Sequence, residues 1–118
     1  MHHRYGQMKK FSLTALGRDH LDRAKDEGSG RSATTVFGGH DQVLRQTVIA
    51  LRKGHSLDSH NGPDEATVYV LTGRVRISGG GNQWIGWVGD LLVVPEDFDG
   101  LDALEDSTIL LTVAKPKH

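Results

Sequence analysis

Two periods of apolar and polar alternation run along this chain, and the switch between them falls near residue 30. From Ser12 onward, Leu13, Leu16, Leu21 and Ala24 recur close to the 3.6-residue period of a helix. Ser12 is a capping residue type and Gly28 follows the last turn. The pattern predicts one amphipathic helix over about residues 13–26, with its apolar stripe turned to the rest of the molecule. Gly17 inside that helix costs about 1 kcal/mol relative to alanine.

Beyond residue 30 the helical period disappears. Ser32 to Phe37 and Gln42 to Leu51 are rich in β-branched residues and bracket Gly38-Gly39-His40-Asp41, which by its turn chemistry predicts a hairpin. His40 at the tip reads as a solvated turn residue. Ala66 to Leu71 is a further strand, halted by Gly73. Leu91 to Val94 follows the turn Gly89-Asp90 and is stopped by Pro95, which cannot donate to a ladder. Leu101 to Leu104 and Thr108 to Ala114 complete the set around a turn at Glu105-Asp106-Ser107. Between Gly73 and Gly89 the passage RVRISGGGNQWIGW is hairpin-like. Its Gly79-Gly80-Gly81-Asn82 lacks the Lys and Ser/Thr that complete a phosphate-binding loop, so it reads as a turn. Trp84 and Trp87 stand at odd spacing and would face opposite sides of one strand; the reading preferred for them is ordinary packing.

Composition narrows the class. A chain of 118 residues makes one domain, and 15 glycines against 3 prolines fit an all-β domain with many tight turns. The expected division is a flexible lead-in at 1–10, helix and linker at 11–30, a barrel at 31–114 and a flexible tail at 115–118. The net charge of −1, with bases scattered among acids, argues against a nucleic-acid partner. No apolar run approaches a membrane span and the first ten residues lack a signal-like core, so the expectation is a soluble cytoplasmic protein with no membrane partner. Zero cysteines exclude disulfides, thiolate ligands and a cysteine nucleophile, and suit a reducing compartment.

The chemistry worth weighing lies between Gly54 and Gly100. The first part holds Gly54, five residues, His60, then Gly62, Ala66, six residues and Gly73; the second holds Gly89, five residues, Pro95, then Gly100 and Leu104. In this frame of glycines, histidine and proline the chain resembles the cupin family over about residues 31–114. The resemblance implies an all-β fold, a small double-stranded β-helix or jelly roll of eight or nine strands behind one short N-terminal helix. Cupins usually supply four metal ligands. Of those positions only His60 carries a donor here, since the other three hold Gly62, Ala66 and Gly100.

A metal bound by imidazole and carboxylate needs three or four converging donors. Glu65 precedes Ala66 by one residue, and a one-residue step along a strand turns a side chain to the other face. Asp58, Asp64 and Asp99, with Glu65, are the carboxylates that an oxygen-rich site around His60 would have to recruit, and Asp97 lies in the same loops. His55 reads as a solvated loop histidine. Ser56 and Ser59 near His60 suggest no triad, because no nucleophile elbow is present. The leading expectation is therefore a metal-free cupin-like barrel, without a cofactor, that binds a small organic molecule or acts through self-association. His60, Gly62, Ala66, Phe98 and Gly100 would surround its pocket. The alternative is a divalent-metal enzyme of oxygenase, isomerase or lyase type using His60 and the loop carboxylates. The resemblance also implies a homodimer, compatible with β-rich runs near the N-terminus that would pair across a two-fold.

Overall fold

In the computed structural model, which describes residues 8–58 and 65–114, one helix and nine strands form a two-sheet barrel. Helix α1 spans Leu13–Asp26, with the Ser12 hydroxyl accepting from the Ala15 amide as predicted for its cap. The strands are β1 (Arg31–Phe37), β2 (Leu44–Leu51), β3 (Ser56–Asp58), β4 (Glu65–Thr72), β5 (Arg74–Gly79), β6 (Asn82–Trp87), β7 (Leu91–Val93), β8 (Phe98–Ala103) and β9 (Ser107–Ala114). One sheet has the order β1-β2-β9-β4-β7 and the other β3-β8-β5-β6, every pair antiparallel. This is the all-β jelly roll with one N-terminal helix that the sequence predicts.

The two sheets meet over an aliphatic core. Ile49 and Leu51 from β2, Val68 and Val70 from β4, Val75 from β5 and Ile109 from β9 are buried in it. Leu101 and Ala103 of β8 join them. These residues share one face of each strand, as the period of 2 requires. In β2, however, Val48 and Ala50 on the opposite face are fully buried too. The reason is α1, which lies across β1, β2 and β9 on the outside of the five-stranded sheet. Two strands thus have both faces covered at one end.

The helix approaches through small residues. Its buried positions are Gly17, His20 and Ala24, while Leu13, Leu16 and Leu21 are half-buried at the flanks. The leucine stripe predicted as the contact thus straddles it. A Cβ at Gly17 would stand 3.1–3.3 Å from the Thr108 side chain, so glycine lets the helix axis come close. His20 Nδ1 lies 2.7 Å from the Ser32 hydroxyl of β1, a polar link that keeps a buried imidazole satisfied.

The corner from one sheet to the other turns at Gly73, with φ +82°. A side chain there would run into Ser107, whose hydroxyl accepts from the Arg74 amide at 3.0 Å. At the opposite seam Gly86 of β6 approaches Leu92 and Val70 so closely that a Cβ would lie 2.7 Å and 3.1 Å from them. Trp84 and Trp87 do face opposite sides, since they pair with inward Ile77 and outward Arg74. The packing expected of them is not seen: they are 69% and 56% exposed. β6 is an edge strand, and the small Gly86 between them makes the contact that closes the barrel.

Candidate functional site

The candidate site is the barrel end between the last residue of β3, Asp58, and the first of β4, Glu65. His60, Gly62 and Asp64 lie outside the described residues. Around this end the inner face of the five-stranded sheet carries Arg45, Val113 and Ala66 in one row and Thr47, Leu111 and Val68 in the next. Ala66 stands on the inner row with Val68 and Val70, opposite Val113. Val94, whose amide donates to the Ala66 carbonyl at 3.0 Å, is half-buried against the core, as are Phe98, Leu57 and Leu111.

Gly100 is placed differently. Leu101 pairs with Ile77 and Leu57 on the inner face, while Asp102 pairs with Arg76 and Ser56 on the outer face. Gly100, opposite Ser78 and Asp58, belongs by register to the outer row. A register shift between Ser78 and Gly79 then returns Phe98 to the inside. Of the pocket residues expected from the sequence, Ala66 and Phe98 are thus inward, and Gly100 is on the other face of β8.

The carboxylates disperse. Glu65 is exposed and alternates with Ala66, so it shares the outer face with Thr67 and Tyr69. Asp58 shares the outer row with Ser56, and Asp99 is exposed at the bulge. Asp97 Oδ2 packs against the β5–β6 turn at Gly80. His55 is half-buried with its ring over Gly30, in the linker after α1; its amide donates to the Arg52 carbonyl and its carbonyl accepts from the Ala103 amide. His40 is exposed. Among the described residues no three His, Asp or Glu side chains gather as a metal cluster.

The polar groups that do converge are on the outside of the four-stranded sheet, where sequence reading set Ser56 aside and singled out neither Asp102 nor Arg76. Ser56 Oγ donates to Asp102 Oδ1 at 2.6 Å and Arg76 Nη2 donates to Oδ2 at 3.0 Å. The hydroxyl first, and the guanidinium second, hold the Asp102 carboxyl below its ordinary range. Arg74 lies over the Trp87 ring at 5.1 Å and 3.4 Å from Glu105. The signal was available in the pairing of Arg76 with Asp102, but only register reveals that pairing.

A cavity of about 770 Å³ opens outside the barrel, on the outer face of the five-stranded sheet. Phe11 and Leu13 line one side of it, and Leu44, Gln46 and Leu110 form its floor. No helix among the described residues is long and apolar enough to cross a membrane.

No family model matches the chain, and no curated protein matches it either. Solved structures do. A conserved protein of unknown function from Streptococcus pyogenes is 25% identical with a TM-score of 0.69, over 100% of this chain and 93% of its own. An RmlC-like cupin from Desulfovibrio desulfuricans is 24% identical with a TM-score of 0.63, over 77% of this chain and 88% of its own. A cupin superfamily protein from Desulfitobacterium hafniense is 13% identical with a TM-score of 0.65, over 73% and 78%. The two-sheet topology and these likenesses together make this chain a small cupin by its fold.

Proposed function

We propose that this barrel binds a small, largely apolar organic molecule at the end where β3 and β4 meet, without metal chemistry. The observation that carries this reading is the inward row there, in which Ala66, Val94 and Phe98 stand half-buried against the aliphatic core. Apolar side chains at this end, with Arg45 and Thr47 as polar members of the same inner face, favour a largely apolar ligand, and the main cost of such binding is the ordering of the ligand. His60, which lies between the two strands in sequence, would then be a hydrogen-bonding group that orients the ligand rather than one ligand of an ion. Gly62, beside it, would leave room for the ligand. The charge balance, and the lack of cysteine and of a membrane-spanning helix, favour a soluble protein of the reducing cytoplasm.

The test is metal analysis of untagged protein, native and His60→Ala, together with titration of an apolar fluorescent probe into the native protein and Ala66→Phe. The expected result is no stoichiometric metal, and probe binding that weakens at least tenfold when the larger aromatic ring of Ala66→Phe fills the mouth. About one ion per chain, lost with His60→Ala, would instead establish a metal enzyme built on His60 and carboxylates such as Asp64. Probe binding indifferent to Ala66→Phe would remove the pocket.

A further inference from the structure

The mouth of the barrel has one polar pole. On the inner face of the five-stranded sheet the last row runs Arg45, Val113 and Ala66, and Val94 extends it through the bond from its amide to the Ala66 carbonyl. The row beneath holds Thr35 and Thr47 on the Arg45 side, then Leu111, Val68 and Leu92. On the facing sheet Phe98 stands at the end, with Leu57, Leu101 and Ile77 below it. Among the described residues Arg45 is the one charge in these rows, and no acid stands in them to neutralise it.

Elsewhere the chain supplies carboxylates to its own sheet arginines. Outside the four-stranded sheet Glu105 lies 3.4 Å from Arg74, and Asp102 lies 3.0 Å from Arg76. Arg45, exposed at the mouth, has no ion pair or side-chain hydrogen bond among the described residues.

We infer that the molecule bound at this end is a small organic carboxylate, its anionic group on Arg45 and its apolar body against Ala66, Val94 and Phe98. The inference rests on the binding site proposed above and narrows its ligand to one chemical class. Neighbouring strands lie about 5 Å apart, so Ala66 on β4 stands about 10 Å along the row from Arg45 on β2, with β9 between them. One or two rings, or a short alkyl chain, with the charge at the tip spans that interval. A guanidinium presents a planar fork to a carboxylate, and two charge-assisted hydrogen bonds fix the direction in which the apolar body leaves it. Thr47, two residues along β2 on the same face, adds a half-buried hydroxyl, 3.4 Å from that of Thr35. A cation of the same shape would be repelled, and a neutral molecule would gain nothing from Arg45.

Isothermal titration calorimetry of the full chain near neutral pH, with octanoate and 1-naphthoate and with the amide of each, tests this. In the native protein at least one of the acids should bind about tenfold or more tighter than its own amide. Added salt should weaken the acid and not the amide. Arg45→Gln should abolish the preference and leave amide binding within about twofold, with an unchanged circular dichroism spectrum because the side chain is exposed. Ala66→Phe should weaken acid and amide together. Equal binding of acid and amide, or a preference that survives in Arg45→Gln, overturns the inference and leaves the apolar pocket in place. A preference lost with Arg45→Gln but indifferent to Ala66→Phe overturns it as well, and puts the anion on the surface apart from the pocket. Binding of neither acid nor amide removes the pocket itself, and the inference with it.

Discussion

Asp102 is held between two donors, the Ser56 hydroxyl and the Arg76 guanidinium, and both favour its charged form. Its folded-state pKa therefore lies below the ordinary carboxylate value of 3.8. The stabilisation is complete above that ordinary value and disappears as pH falls through the lowered folded one. Because Asp102 and Arg76 are each more than a third exposed, solvent screens the pair and the effect is modest. Thermal melts taken from neutral pH down to about pH 2.5 should show the native midpoint dropping more steeply below pH 4 than that of Asp102→Asn. Parallel pH profiles would mean that the three side chains are held together by register alone. The network ties β3 to β5 through β8, and β3 is the strand that precedes His60 in the sequence.

The helix and its seat on the sheet form one packing unit, and Gly17 is where they touch. Replacing a mid-helix glycine by alanine normally gains about 1 kcal/mol. Here the new Cβ would press on Thr108, whose hydroxyl is fixed 2.7 Å from that of Thr72 and has little room to give. Gly17→Ala alone should leave stability unchanged or lower, while in a Thr108→Ala background it should stabilise by about 1 kcal/mol. Urea denaturation of the four proteins closes the cycle, and additivity would show that the helix stands further off the sheet than described. The extent of α1 was legible in the sequence, because capping and the 3.6 period are local signals. Which of its residues make contact was legible only in part: Ala24 of the predicted stripe is buried, but close approach also selects Gly17 and His20, which an apolar pattern does not mark. The strands were similarly legible as runs, and Glu65 opposite Ala66 followed from the period of 2. Gly100 departed from its expected face because of the irregularity opposite Gly79, a property of the pairing that no single strand encodes. The exposure of Trp84 and Trp87 was hidden for the same reason, since nothing in RISGGGNQWIGW says that β6 is an edge.

For the molecule as a whole, stability should fall from the centre of the five-stranded sheet toward the strands that border the site. β9 is paired along its length with β2 on one side and β4 on the other, and its buried Thr108 lies under the helix while Ile109 lies in the core. β3 and β7 have three residues each and a single partner strand apiece. Amides that open only with global unfolding should therefore concentrate at Ile109 to Leu111, and those of Leu57 and Leu92 should exchange by local opening well below the global free energy. β3 ends at Asp58, ahead of His60 in the sequence, and β7 runs into Val94 beside Ala66, so local opening of these two strands should expose that end of the barrel without unseating the core. A ligand held there should slow exchange in β3 and β7 far more than in β9, because binding removes only the open states that expose its site. Native-state exchange with and without the bound apolar probe measures this directly. Equal protection of β3 and β9 in the free protein would mean that the mouth belongs to the global unit, and entry would then have to await unfolding of the sheet itself.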